Sequence, residues 1–321
     1  MKSRLYVAAF IALSGCVRER PSQSAAAGAA PPADSAASKA EAIATVEGLQ
    51  HPESAVYDSA LDAWFVSNIN GDPMARDGNG FISRLRGDGS MDSLKFIASG
   101  ANGVTLNGPK GLAIVGDTLW VADIDAVRAF NTRTGAPVAT VDLRGKAKFL
   151  NDAAVGPDGV YFTDSGFGPD GKGGMGHPGP DRIFRIGPNH AATIAMEGDS
   201  LDAPNGITWD ASGKRFIVVP MAGTTIMAWT PGQKHTRPLA RGPGQFDGVE
   251  LVGGSRLLVS SWADSSLLVM QGDKLTPVMP GLPGGPADFG IDARRGRLAI
   301  PFLMQNRVEF RALPGAAGAT R

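Results

Sequence analysis

The sequence predicts an all-β fold, a six-bladed β-propeller whose ring is closed by an N-terminal strand completing the last blade. Three observations predict it. First, one short phrase recurs six times, as Pro52-Glu53-Ser54, Pro109-Lys110-Gly111, Leu150-Asn151-Asp152, Pro204-Asn205-Gly206, Phe246-Asp247-Gly248 and Ala287-Asp288-Phe289. Its centres are 57, 41, 54, 42 and 41 residues apart, close to the period of a repeat that carries one four-stranded blade. Second, each phrase opens the same succession: a short apolar strand, a turn, a second strand such as TLWVAD or RLLVSS, then further strands. Third, 43 Gly and 23 Pro among 321 residues suit many short strands joined by turns.

The elements follow in chain order. Residues 1–15 read as a lipoprotein signal peptide. Met1-Lys2-Ser3-Arg4 is positively charged, 5–13 is an apolar stretch too short to span a bilayer, and Leu13-Ser14-Gly15-Cys16 is similar to a bacterial lipobox. That similarity implies cleavage before Cys16 and lipid on its thiol. Cys16 is the only cysteine, so no internal disulfide forms. Residues 16–41, rich in Ala, Ser and Pro, read as a flexible tether, 42–313 as the folded domain and 314–321 as a disordered tail. The expected location is the bacterial cell envelope, lipid-anchored and facing the periplasm. With 31 basic and 31 acidic residues and no basic stripe, there is no electrostatic case for nucleic acid. The expected partners are a small-molecule substrate and, through the lipid alone, the membrane; the expected state is a monomer.

The first blade reads as strands near 54–57, 62–67, 81–86 and 93–98, and the second as 111–115, 118–123, 126–130 and 137–142. The third takes 152–156, 159–164, 182–186 and 192–197, the fourth 206–209, 215–219, 225–229 and 235–240, and the fifth 248–252, 256–261, 266–270 and 274–279. The sixth has three strands, near 289–292, 297–301 and 306–312. Its missing strand is expected at 42–48, paired with 308–313, which hides a strand edge and ties the ends together. Two oversized loops, 68–80 and 165–181, are expected to overhang the mouth of the channel at which the phrases meet. They read as lids or as surface loops. Trp64, Trp120, Trp209, Trp229 and Trp262 fall on predicted strands and are expected to pack between blades. Met175 and Phe167, in the longer loop, are the candidates for apolar substrate contact.

Six blades around one axis aim Glu53, Lys110, Asn151, Asn205, Asp247 and Asp288 at one channel. Glu53, Asn151, Asn205 and Asp247 form an all-oxygen donor set suited to Ca2+, with Mg2+ or Mn2+ as alternatives. The four histidines have no metal spacing, so a zinc site is not indicated. Three carboxylates against Lys110 leave two net negative charges, which a divalent ion neutralises. The plainer reading is that Asn, Asp and Gly simply serve turns, but four oxygen donors in one register of six repeats favour a site.

On HPESAVYD, LNDAAVGPDGVYFTDSG, APNGITWDASGKRFIVV and FDGVEL, the chain resembles the SMP-30/gluconolactonase/LRE-like calcium propellers, related to the paraoxonases and diisopropylfluorophosphatase. The resemblance covers about 42–313. It implies a six-bladed propeller with one catalytic divalent ion held by Glu53, Asn151, Asn205 and Asp247, and with Asp152 close by. Lys110 stands where paraoxonases carry a histidine, and Asp288 where diisopropylfluorophosphatase carries one, so neither histidine chemistry is expected.

A metal-dependent hydrolase of a lactone or related ester is the leading expectation. Asp247 is the expected general base or nucleophile, with Asp288 as a second candidate. Lys110 either binds an anionic group or developing charge on the substrate, or pairs with Asp288 or Asp247. His177 is a solvated loop histidine or a proton shuttle. The alternatives are a non-catalytic binding propeller and a metal-dependent lyase or isomerase on the same site.

Overall fold

The computed structural model describes residues 41–172 and 174–315. The expected signal peptide, the lipid-bearing Cys16 and the tether up to residue 40 lie outside them, as do residues 316–321. The described residues form an all-β, propeller-like fold of antiparallel four-stranded meanders. Four meanders are separate sheets. The other two, 204–241 and 246–279, are expected as independent blades but share one eight-stranded sheet, joined by a single parallel pair, Arg241 with Lys274. Their outer strands run close enough at that one point for backbone pairing.

The first strands of the meanders are Pro52–Asp58, Pro109–Val115, Leu150–Gly156, Pro204–Asp210, Phe246–Val252 and Gly290–Asp292. They touch in that order, and the last touches the first. Closure comes from Ala44–Val46, whose three residues pair with Phe310, Glu309 and Val308 of the last strand, Arg307–Ala312.

The inner strands of each meander are covered on both faces and are apolar on both sides, whereas the outermost, such as Met91–Ala98 and Pro137–Asp142, are largely half-buried or exposed. Along Thr118–Asp123, Leu119 and Val121 pack with Phe65 and Ile82 of the first meander, while Trp120 and Ala122 pack with Val160 and Phe162 of the third. This is the two-residue alternation of a strand with two buried faces. Trp64, Trp120 and Trp229 are buried between meanders, and Trp209 packs against the same cluster as Trp229.

The repeated phrase has a structural cause. In each of the first five meanders the register between first and second strands slips within it, between Pro52 and Ala55, Pro109 and Leu112, Leu150 and Ala153, Pro204 and Ile207, and Phe246 and Val249. Such a bulge adds one residue to a strand and re-aims a side chain. The glycine that follows the centre in three phrases is a packing requirement, not a turn residue. A Cβ on Gly111 would lie 2.3 Å from Asp152 Cα, one on Gly206 2.3 Å from Asp247 O, and one on Gly248 2.8 Å from Asp288 Cα. The obstacles are backbone atoms of the next meander and cannot step aside. Gly206→Ala is therefore expected to destabilise the fold by about 2–3 kcal/mol, the scale of overpacking a rigid core. A denaturant titration showing an unchanged midpoint would contradict this.

The sixth phrase corrects the sequence reading. Pro286 pairs with Phe302 as Pro109 pairs with Asp123, and Gly290 with Ala299 as Ala113 with Trp120. Ala287, not Asp288, therefore holds the central position. Asp288 stands one residue further along, level with Ser54, to which it is bridged.

Candidate metal centre

Five of the six expected residues meet in one place. Glu53, Lys110, Asn151, Asn205 and Asp247 line a single cavity of about 380 Å³. All five are buried, none more than 6% exposed. The bulges deliver them: each lies within the bulge of its strand and lines the cavity, on strands from five different meanders.

Hydrogen bonds fix the two carboxamides. Asn151 Nδ2 donates to Ser165 Oγ (3.0 Å), and Ser165 Oγ donates to Pro204 O (2.6 Å) of the next meander. Asn205 Nδ2 donates to Phe246 O (3.2 Å). With their N–H groups committed to protein acceptors, the Oδ1 atoms are turned away from those acceptors. The carboxylates differ. Glu53 Oε2 and Asp247 Oδ1 are buried and have no hydrogen-bond partner. Trp262 Nε1 lies near Asp247 but does not reach hydrogen-bond geometry with it.

The electrostatics are those of buried acids held together, with Lys110 the charge that opposes them at Glu53. Burial first, then Asp247 and Asp288, push Glu53 well above the usual carboxylate range. Burial first, then Asp288, do the same to Asp247, with Trp262 and Asn205 opposing. A buried acceptor that is neither ionised freely nor hydrogen-bonded is costly, and two such oxygens beside two carboxamide oxygens fit a hard cation. Among the described residues no group of three or more His, Cys, Asp and Glu side chains is placed to hold a metal. The fit therefore rests on two carboxylates together with two carboxamides.

The remaining expected residues have other places. Asp288 is absent from the cavity lining and accepts from Ser54 Oγ (2.5 Å); burial pushes its carboxyl up to about 7. Asp152 accepts from Ile207 N (2.8 Å) through one oxygen and from Ala153 N (2.7 Å) through the other, bracing the third meander against the fourth. Lys110 pairs with neither Asp288 nor Asp247. Its Nζ donates to Gly108 O (3.0 Å) and Pro73 O (3.3 Å) and sits over the Phe149 ring at 4.2 Å. It thereby fastens the 68–80 loop to the cavity wall. Burial pulls its ammonium down to about 8 against Glu53, which favours the charged form. His177 is neither a free loop histidine nor part of the cavity lining: it is half-buried and its Nε2 pairs with Asp181 Oδ1 at 2.6 Å. Phe167 stacks edge-on with Phe149 and His177 and does not line the cavity, whereas Met175 does.

Trp262 overturns one expectation. The second strand of its meander ends at Ser261, so Trp262 lies beyond it and forms cavity wall rather than packing between meanders. The sequence reading missed its counterparts Ile69, Met221 and Leu303, each the first residue after a second strand and each lining the cavity. The signal was available: an apolar residue recurs at that position in five of six repeats, Ile124 being the fifth.

The fold has relatives among solved structures. A gluconolactonase from Xanthomonas campestris shares 21% identity, covers 84% of this chain and 87% of its own, and superposes with a TM-score of 0.62. A luciferin-regenerating enzyme shares 12%, covers 85% and 96%, and gives 0.58. A chain of the nidogen/laminin complex shares 18%, covers 68% and 75%, and gives 0.54. At these identities the likeness is one of fold. Curated proteins include no match to the chain. The model of the SMP-30/Gluconolactonase/LRE-like region matches residues 51–262, which begin just before Glu53 and reach Trp262, so the match spans all four candidate oxygen donors. With 212 of its 321 residues matched, the chain belongs to the SMP-30/Gluconolactonase/LRE-like family.

Proposed function

We propose that this protein is a divalent-metal-dependent hydrolase of a lactone or related ester, with Ca2+ the preferred ion and Mg2+ or Mn2+ as substitutes. The six meanders act as six blades whose Glu53, Asn151, Asn205 and Asp247 would together hold the ion in the cavity. The observation that carries the reading is the pair of buried, unpartnered carboxylate oxygens, Glu53 Oε2 and Asp247 Oδ1, in one cavity with two oriented carboxamides. When bound, the ion supplies Lewis acidity toward the acyl oxygen and lowers the pKa of water.

The chain's own residues do the rest. Asp247 accepts a proton from the attacking water, whose oxygen bonds to the acyl carbon as the ring C–O bond breaks. The proton is returned to the departing alkoxide, leaving a hydroxy acid. Lys110, held by two carbonyls, balances the acidic floor and fixes the loop wall. Asp288, outside the cavity lining, is a positioning residue that holds the Glu53 segment through Ser54 and through its own N–H to Glu53 O (3.0 Å). Attachment through Cys16 would place this activity at the cell envelope, facing the periplasm.

The test is a lactone and aryl-ester panel run with purified protein before and after chelation. Hydrolysis that EDTA abolishes and Ca2+ restores is the expected result. Turnover indifferent to chelator, or isomerised or dehydrated products without added water, would overturn the reading.

A further inference from the structure

The walls of the cavity differ in kind from its floor. Above the oxygen donors stand Ile69, Met175, Met221, Trp262, Leu303 and Met304. All six come from connections between second and third strands, Leu303 and Met304 on the short turn Leu303–Gln305. The polar groups that share the wall have partners in the chain. His51 Nδ1 accepts from Gly71 N (3.1 Å), Asp72 Oδ1 accepts from Met74 N (2.8 Å), and Lys110 Nζ donates to its two carbonyls. The collar is thus apolar on nearly every side, and three of its members are methionines, whose unbranched, polarisable side chains adapt to varied shapes. Met304 is 55% exposed, so the mouth presents apolar surface.

We propose that the substrate is an acyl compound with an apolar tail, an alkyl- or aryl-substituted lactone or ester, and not a polyhydroxylated sugar lactone. This rests on the hydrolase reading above for the reacting end and on the collar for the rest. A sugar lactone would bring several hydroxyls against side chains that cannot replace their water hydrogen bonds, and each such mismatch disfavours binding. An alkyl tail loses nothing polar and gains with every carbon buried. A cavity of about 380 Å³ accommodates a tail of moderate length beside the reacting group.

The experiment compares γ-butyrolactone, γ-octalactone and γ-decalactone with glucono-δ-lactone, using the Ca2+-loaded protein. The expected kcat/KM rises by about two- to fourfold for each buried methylene, at least about 60-fold over the six carbons that separate the first compound from the longest, with glucono-δ-lactone the poorest. A binding arm, free of turnover, titrates 4-hydroxyoctanoate and 4-hydroxybutanoate calorimetrically. The longer acid is expected to bind at least tenfold tighter, with a negative heat-capacity change. In Met221→Asn/Met304→Asn, two sites where polar substitution disturbs no buried core, both gradients are expected to flatten by about tenfold at an unchanged thermal midpoint.

Lactone hydrolysis without a tail-length gradient, or with glucono-δ-lactone preferred, overturns the apolar-tail proposal and leaves the hydrolase standing. Tail-dependent binding with no hydrolysis of any ester or lactone supports the ligand class and overturns the hydrolase.

Discussion

Asp247→Asn is expected to lower kcat/KM toward a hydrolysed lactone by about 10²–10⁴-fold, the range for removing a general base. The substitution preserves shape, so the loss would come from charge and basicity alone. Asp247 is 4% exposed and leaves one oxygen without a partner, and its carboxyl is raised by burial and by Asp288. The stability signature separates this account from simple misfolding. In metal-free protein the variant should be at least as stable as the wild type, because a buried charge beside other acids has been removed. With Ca2+ the order should reverse, since an ion that binds only the folded state stabilises it by an amount that grows with concentration. Thermal scans of both proteins with and without Ca2+, beside kinetic assays, check both halves. Full activity in the variant would remove Asp247 from the chemistry.

The second large effect is structural. Asp164, fully buried at the end of the strand Gly159–Asp164, accepts from Lys148 N (3.0 Å), Phe149 N (2.8 Å) and Gly166 N (3.3 Å). These bonds clasp the segment that enters the strand carrying Asn151. Asp123 does the same for Asn107 and Gly108 ahead of Lys110, and Asn68 for Gln50 ahead of Glu53. Asp164→Ala strands up to three N–H groups, two of them on the segment beside Asn151. At about 1–3 kcal/mol per buried unsatisfied group, a loss of about 4 kcal/mol is expected. Asp164→Asn, which keeps an acceptor oxygen, should lose less than half of that. Equal losses in the two variants, read from denaturant titrations, would mean that the clasp does not depend on the acceptor.

Much of this was legible in the sequence because the period of the repeat and the register of the bulge are the same fact. Each bulge falls on the quoted phrase, so reading the phrases in register placed Glu53, Lys110, Asn151, Asn205 and Asp247 together. The sixth phrase misled because Asp288 is the nearest acid to the expected spacing. Pro286 was the better guide, since Pro52, Pro109 and Pro204 also stand one residue before their centres. Other features were not legible because they depend on partners that carry no side-chain signal. Lys110 is held by the backbone carbonyls of Gly108 and Pro73, and no residue type marks a carbonyl that will face a lysine. The single parallel pair that merges two meanders follows from how two outer strands drift together, which spacing does not encode. The predicted strand 256–261 already stops one residue short of Trp262, as it does in the structure, and only the size of an apolar ring suggested packing between blades.

The most direct measurement of the shared site is a calorimetric Ca2+ titration of chelator-stripped protein, paired with the variants Glu53→Gln, Asn151→Ala, Asn205→Ala and Asp247→Asn. One ion per chain for the wild type is the expected result, with every variant weakening that binding and each remaining folded by circular dichroism. Wild-type protein that takes up no ion, or an ion whose affinity is indifferent to all four side chains, would contradict a site built from these residues.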